Sequence, residues 1–209
     1  EFRRVLFRSL HFPILKKGFI TMSAIILGHK HPDTDSIVSA IACTDLYRQR
    51  GLDVKAAAQG TPAPETAFVL ERFGLQAPEV VTSVAGKDVY IVDYSDLNQA
   101  PDDFKDCTLK GIVDHHKLGD MTSSAPLEIV IMPVGCTNTI LKRMYDYLGF
   151  VPPKNIAGAM LCAILSDTVI FKSPTCTPAD KAAAAELAEI AGIADIEALG
   201  MELFTAKSA

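Results

Sequence analysis

The sequence lacks the features that mark several large protein classes. Its five cysteines form no C-x-x-C pair, which argues against a structural zinc site and against a disulfide scaffold. We therefore expect reduced thiols and a cytoplasmic protein. The most apolar run, residues 156–170, is interrupted by Ser166 and Asp167. It falls short of the roughly 20 apolar residues that cross a bilayer, so no membrane partner is expected.

Signature motifs of three enzyme classes are also missing. The chain contains no H-E-x-x-H, no G-x-x-x-x-G-K-[ST] and no G-x-S-x-G. These absences argue against zinc proteases, P-loop NTPases and α/β-hydrolases.

Positive charge is scarce outside the first segment. Residues 1–21 hold five basic residues against one acidic residue, a net charge of +4, so the other residues carry −9. We expect residues 1–21 to be a leader of vector-derived or upstream-translated sequence, with Met22 as the natural start. With this net negative charge, the chain beyond residue 21 is a poor electrostatic match for nucleic acid, because proteins bind nucleic acid by neutralising its phosphates.

From residue 22 onward, short apolar runs alternate with helical patterns. Five runs read as strands, at residues 24–27, 54–58, 89–92, 111–113 and 128–132. Helices are predicted at residues 36–50, 64–73, 136–148, 155–171, 180–191 and 195–206. Strands this apolar, separated by helices, indicate an α/β fold with a five-stranded, mainly parallel sheet and helices on both faces.

Acidic and imidazole side chains follow three of these strands. The first strand leads into a tight turn with His29, Asp33 and Asp35. Asp93 follows the strand at residues 89–92, and the run Asp114-His115-His116 follows the strand at residues 111–113. One aspartate alone could be a helix N-cap or a turn residue, but histidines are not turn formers. The carboxyl ends of parallel strands share one edge, where ligands bind, so we expect these side chains to meet there.

Asp167 adds an independent signal. It lies near the end of the predicted helix 155–171, where a carboxylate gains nothing from the helix dipole and is costly to desolvate. Two interpretations remain open: Asp167 points to solvent or pairs with Lys172, or it reaches a cation at the sheet edge.

These positions define six candidate metal ligands: His29, Asp33, Asp35, Asp93, His115 and Asp167. Mixed nitrogen and oxygen ligands suit Mn²⁺ or Mg²⁺. Six protein ligands would serve two ions that share a bridging carboxylate, which is the usual arrangement for phosphoryl hydrolysis. Asp114 could instead orient a histidine through its far nitrogen.

Five stretches resemble the DHH phosphoesterase superfamily and, within it, the family II manganese-dependent inorganic pyrophosphatases: GHKHPDTDS, IVDYSD, VDHHK, PVGCTNTI and AILSDTVIFKSPTC. The resemblance covers nearly all of residues 24–207. It implies a Rossmann-like DHH metal-binding catalytic domain over residues 22–207, with two Mn²⁺ ions or Mg²⁺ or Co²⁺ in their place. The implied reaction is the hydrolysis of pyrophosphate to two phosphates.

The resemblance also implies a role for each site residue. One ion would be held by His29, Asp33 and Asp93, and the other by Asp35, Asp93, His115 and Asp167, with Asp93 bridging. His116 would contact the phosphate and, with Asp114 supporting it, form the catalytic pair; Lys117 would bind substrate. The partner implied is pyrophosphate, with a homodimer formed through the sheet edge.

Two departures from the family stand out. The residue after the bridging aspartate is usually histidine, whereas here it is Tyr94. The resemblance also implies a C-terminal domain that clamps pyrophosphate with lysine and arginine, and we expect this domain to be absent here, with Lys30, Lys117 and Lys172 as the nearby bases. Alternatives are another DHH phosphoesterase, acting on short oligonucleotides or nucleotide phosphates, and a non-catalytic metal-binding module left by truncation.

Overall fold

A computed structural model describes residues 23–208 of the chain. The predicted leader, residues 1–21, lies outside the described residues. Within the described part, no helix combines the length and the apolar character that crossing a membrane requires.

Six parallel strands form one sheet. They are β1 (Ala24–Lys30), β2 (Val54–Gln59), β3 (Glu79–Val80), β4 (Asp88–Val92), β5 (Thr108–Asp114) and β6 (Glu128–Ile131). Their order is β3-β2-β1-β4-β5-β6, and every neighbouring pair is parallel. The predicted α/β fold is confirmed, although the sheet has six strands where five were predicted. The additional strand, β3, is two exposed residues long, too short to show a hydrophobic pattern.

The α-helices pack on one face of the sheet. They are α1 (Thr34–Gln49), α2 (Pro64–Arg72), α3 (Thr137–Leu148), α4 (Lys154–Asp167), α5 (Pro178–Ala191) and α6 (Ile196–Lys207). Ile26, Val54 and Val113 point from the sheet into the core that these helices share. Because the opposite face is covered as well, the strands are apolar without a polar alternation.

The opposite face is covered by shorter structures. Ile25 and Leu27 of β1 pack there against Val84, Ala100 and Phe104. The segment between β4 and β5 contains only two single 3₁₀ turns, Leu97–Gln99 and Phe104–Asp106. Helices were predicted on both faces. The α-helices lie on the first face, and the helical structure on the second face consists of these two 3₁₀ turns among the described residues. The strands β1 to β3 are added in one direction across the sheet, and the strands β4 to β6 in the opposite direction. Because connections between parallel strands are right-handed, these two sets of connections lie on opposite faces.

The predicted helix 155–171 is wrong in its last turn. Helix α4 ends at Asp167, and the next turn has left-handed backbone at Val169, Ile170 and Phe171, with φ of +50°, +49° and +63°. The amide of Ser173 donates to the carbonyl of Thr168 at 2.8 Å and closes this turn. Such backbone costs L-residues about 1–2 kcal/mol each, so nothing in an apolar run predicts it.

The direction of strand order reverses between β1 and β4. A crevice opens at the carboxyl ends of the strands at such a reversal. The turns that leave β1, β4 and β5 meet here, and they carry the acidic and imidazole groups that follow these strands.

Candidate metal centre

The turn from β1 into α1 is tight because of Gly28. A Cβ at this position would lie 2.0 Å from Oγ of Ser36 and 2.8 Å from its carbonyl oxygen. Glycine thus allows the first turn of α1 to lie directly against β1. Asp33 caps this helix, since its Oδ1 accepts a hydrogen bond from the amide of Ser36 at 2.9 Å.

His29 is oriented by the main chain. Its Nδ1 donates to the carbonyl of Lys30 at 2.7 Å, which leaves Nε2 facing two carboxylates. Nε2 lies 3.5 Å from Oδ1 of Asp33 and 3.4 Å from Oδ2 of Asp93. Burial lowers the pKa of His29, but Asp33 and Asp93 together outweigh it and raise the pKa to about 11.

Asp93 lies at the centre of the site. It directly follows β4 with a φ of +67°, and its amide donates to the carbonyl of Val113 at 2.9 Å. Left-handed backbone at a non-glycine residue is often found at functional sites. Its side chain is buried, and its Oδ1 accepts from Oγ1 of Thr137 at 2.9 Å. Burial and the nearby charge of Asp35 raise the pKa of Asp93 to about 6.

His115 repeats the arrangement of His29 on the other side of Asp93. Its Nδ1 donates to the carbonyl of Val134 at 3.0 Å. Its Nε2 lies 3.4 Å from Oδ1 of Asp93 and 3.8 Å from Oδ2 of Asp35. Burial lowers the pKa of His115, but Asp93 and Asp35 outweigh this effect and raise the pKa to about 9. The two oxygens of Asp93 therefore face one imidazole each.

Asp35 is completely buried and is surrounded by donors that the sequence did not single out. It accepts from the amide of Thr137 at 2.7 Å, from Nδ2 of Asn138 at 2.6 Å and from Sγ of Cys136 at 3.1 Å. Burial opposes its ionisation, yet His115 and these donors lower the pKa of Asp35. The only sequence signal for this cradle was the stretch PVGCTNTI, to which no ligand role had been given.

Asp167 faces this buried group. One ligand atom each of Asp35, Cys136 and Asp167 lie within 4.8 Å of one another. Burial and repulsion from Asp35 and Asp93 raise the pKa of Asp167 well above its usual range. No ion pair joins it to Lys172 within residues 23–208, so the contacts favour a side chain turned toward the crevice.

Asp114 and His116 form a pair beside this centre. Nδ1 of His116 lies 2.9 Å from Oδ1 of Asp114, which also accepts from the amide of His116 at 3.0 Å. The bond to Asp114 is the largest influence on His116, and it raises the pKa of the imidazole. His116 is half exposed, and with Lys117, Ser95 and Gln99 it lines a cavity of about 360 Å³.

A larger cavity of about 560 Å³ lies at the opposite edge of the sheet. Its charged groups are already paired: Lys55 lies 3.1 Å from Glu79, and Lys87 donates to the carbonyl of Ser83 at 2.8 Å. In the smaller cavity Lys117 forms no ion pair among the described residues, and buried carboxylates lie beside it. This cavity is therefore the better candidate for chemistry.

Tyr94 borders the smaller cavity beside Asp93. Its ring packs in the apolar cluster on the second face of the sheet, with Ile91 and Phe104. Its hydroxyl is buried and has no hydrogen-bond partner among the described residues, and burial raises the pKa of the phenol, with Cys107 adding to the effect. Its position after Asp93 therefore leaves the donor set around Asp93 unchanged.

The donor set fits divalent cations. Three groups of ligand atoms converge: His29, Asp33 and Asp93; Asp93, His115 and His116; and Asp35, Cys136 and Asp167. The first is the ligand set predicted for one ion. The set predicted for the other ion is spread over the second and third groups, which the contact between His115 and Asp35 joins. The Nε2-to-oxygen separations of 3.4–3.8 Å exceed those of good hydrogen bonds, about 2.7–3.2 Å. Crowded carboxylates with raised pKa values are groups that a cation would relieve.

Comparisons with known proteins agree with this geometry. The chain is 46% identical over 188 residues to a protein of Archaeoglobus fulgidus named a probable manganese-dependent inorganic pyrophosphatase, covering 84% of this chain and 58% of that protein. It is 45% identical over 184 residues to a Listeria monocytogenes protein of the same name, covering 87% of this chain and 59% of that one.

A solved structure is similar as well. The fold matches a Methanococcus jannaschii protein assigned to the family II inorganic pyrophosphatases, with a TM-score of 0.81 and 43% identity. The match covers 88% of this chain and 61% of that one. The chain thus spans about three-fifths of the length of these relatives. Residues 23–164 match the N-terminal domain of the DHH family, and the chain therefore belongs to that family.

Proposed function

We propose that this chain carries the metal centre of a manganese-dependent inorganic pyrophosphatase. The observation that carries the proposal is the position of Asp93, whose two oxygens each lie 3.4 Å from a different imidazole, those of His29 and His115. A carboxylate between two such nitrogens is suited to bridge two cations. The names of the relatives supply the choice of manganese and of pyrophosphate.

The proposed ligands divide between two ions. One Mn²⁺ would be held by His29, Asp33 and Asp93, and the other by Asp35, Asp93, His115 and Asp167. Mg²⁺ or Co²⁺ could replace manganese at ligands of this type. When bound, two such ions would make a water more acidic and would neutralise charge on the phosphate.

The chain's own residues prepare the site for an anion. Asp114 holds His116 by Nδ1, so the remaining nitrogen of the imidazole is free to donate toward the cavity. Because its pKa is raised, His116 stays cationic to higher pH than a free histidine. Such a donor would bind a phosphate oxygen and hold a proton for the leaving phosphate. Lys117, on the same cavity, would add a second positive charge.

A further domain belongs to the proposal. Apart from His29, a proposed metal ligand, His116 and Lys117 are the cationic side chains that line the cavity among the described residues, few for an anion as highly charged as pyrophosphate. We propose that residues 22–207 act as the metal-binding catalytic half, and that a second domain with lysine and arginine completes the substrate clamp. The chain alone would then be weakly active or inactive.

The setting follows from the same features. Strand β6 lies at an edge of the sheet and exposes Ile129, so a homodimer through this edge is proposed. The acidic body disfavours nucleic acid as a partner. Cysteines without disulfide partners suit a reducing cytoplasm.

The test is phosphate release from pyrophosphate with Mn²⁺. It is measured for the chain alone and for the chain joined to the C-terminal region of the Archaeoglobus relative. Turnover by the joined protein that Asp93→Asn abolishes, and that exposed Glu71→Ala leaves intact, would support the proposal. No turnover by the joined protein would refute it. Preferential hydrolysis of short oligonucleotides or nucleotide phosphates would favour a different DHH phosphoesterase, and Mn²⁺ binding without any hydrolysis would favour a non-catalytic module.

A further inference from the structure

One buried carboxylate close to the metal centre is not a candidate ligand. Glu65 lies in the first turn of α2 and is 5% exposed. A glutamate at this position could stabilise the helix dipole from solvent. Burial is costly for a carboxylate unless it is hydrogen-bonded and paired, so the partners of Glu65 indicate what its burial achieves.

Its Oε1 joins two segments that carry proposed ligands. Oγ1 of Thr34 donates to it at 2.8 Å, and Thr34 lies between Asp33 and Asp35. The hydroxyl of Ser166 donates to the same oxygen, and Ser166 directly precedes Asp167. One atom thus ties the start of α1 to the end of α4.

The other oxygen reaches a third element. Oε2 lies 3.0 Å from Nζ of Lys207, in the last turn of α6. This contact is an ion pair without an aligned hydrogen bond, since Oε2 has no hydrogen-bond partner within the described part of the chain. Lys207 is more than half exposed, so the contact is weaker than the two hydroxyl bonds.

Helices α1 and α4 pack against each other, and Glu65 adds a polar tie at the ends of these helices that carry Asp35 and Asp167. Asp35 and Asp167 face each other, and one ligand atom of each lies within 4.8 Å of the other. Helix α4 ends at Asp167, and the chain continues into the left-handed turn. The bonds from Thr34 and Ser166 to Glu65 place a tie one residue away from each of these ligands.

We propose that Glu65 is a positioning residue that holds Asp35 and Asp167 at the spacing needed to share a cation. The proposal rests on the proposed metal centre. Glu65 acts through Thr34 and Ser166 and does not touch the ion. Loss of a group that orients metal ligands typically weakens metal binding by about 10–100-fold.

The test measures Mn²⁺ affinity by titration calorimetry on the whole chain. Glu65→Ala should weaken binding by about tenfold or more. Glu65→Gln should bind nearly as the unchanged chain does, because its amide oxygen still accepts from both hydroxyls. Glu71→Ala, on the exposed side of the same helix, is the matched control and should change nothing. Unfolding in EDTA is recorded for every variant, since a purely structural residue would lower stability and leave the affinity of the folded protein unchanged.

A double-mutant cycle separates the mechanism from general damage. Ser166→Ala removes the small hydroxyl that donates to Oε1 of Glu65, and this change alone should weaken Mn²⁺ binding. Combined with Glu65→Ala it should add little, because both changes break the same link. Unchanged affinity in Ser166→Ala, or unchanged affinity in a folded Glu65→Ala, would overturn the proposal. If Glu65→Ala does not fold, Ser166→Ala and Glu65→Gln decide it. Failure of the unchanged chain to bind Mn²⁺ would instead overturn the proposed metal centre.

Discussion

Mn²⁺ binding should strengthen steeply as pH rises. Nε2 of His29 and Nε2 of His115 face carboxylates, and their raised pKa values, about 11 and about 9, mean that both imidazoles carry protons near neutral pH when no cation is bound. A metal ion needs the neutral imidazole. Each bound ion must therefore displace a proton, and the lower the pH, the more that displacement costs.

The size of the effect follows from these values. Well below its pKa, the neutral fraction of a histidine rises tenfold for each pH unit. With one such histidine at each ion, the apparent affinity for each ion should rise about tenfold between about pH 7 and pH 8, and the overall constant for binding both ions about 100-fold. Histidines with the ordinary pKa of about 6.5 would already be mostly neutral, and the affinity would then change by less than about twofold.

Calorimetry in buffers of different ionisation enthalpy measures both the affinity and the protons released. In His115→Gln, the rise in the overall Mn²⁺ binding constant should fall from about 100-fold to about tenfold per pH unit. Exposed His31→Asn, outside the three ligand groups, should keep the full slope. An affinity that is the same at both pH values, with no proton release, would refute the claim that the carboxylates hold these imidazoles protonated.

Three further outcomes are expected. Without metal, the free energy of unfolding should fall as pH rises from about 6.5 to 9, since a raised pKa at His115 stabilises the protein only while the imidazole keeps its proton; urea unfolding with saturating Mn²⁺ should lack this fall. Gly28→Ala should lower both stability and Mn²⁺ affinity, because its Cβ would meet the carbonyl of Ser36 at 2.8 Å; an unchanged affinity would show that the turn does not position the ligands. Tyr94→Phe should leave Mn²⁺ affinity unchanged and cost no stability, because the hydroxyl has no partner to lose; weaker binding would place Tyr94 at the site.

Much of the site was accessible from local pattern. Short apolar runs located β1, β4 and β5, and the rule that ligands gather at carboxyl ends of parallel strands brought His29, Asp93 and His115 together. The order of the strands came from the structure. Local pattern was sufficient because each of these side chains directly follows a buried strand.

Other features depend on contacts that are distant in sequence. The cradle of Asp35 comes from Cys136, Thr137 and Asn138, about a hundred positions away, and no periodicity links them. The end of α4 was misplaced because the left-handed turn is built from Val169 and Ile170, residues that disfavour it. Glu65 looked like an ordinary first-turn glutamate until its partners were seen.

The anchoring of the two imidazoles has an evolutionary consequence. His29 and His115 are each oriented by a main-chain carbonyl, which every residue type provides. Mutation of the neighbouring side chains leaves these acceptors in place, so the nitrogen side of the centre tolerates sequence drift. The carboxylate side depends on the side chains of Thr137 and Asn138, which a single mutation can remove. Divergence in metal preference among related chains should therefore accumulate around the carboxylates, while the histidines keep their orientation.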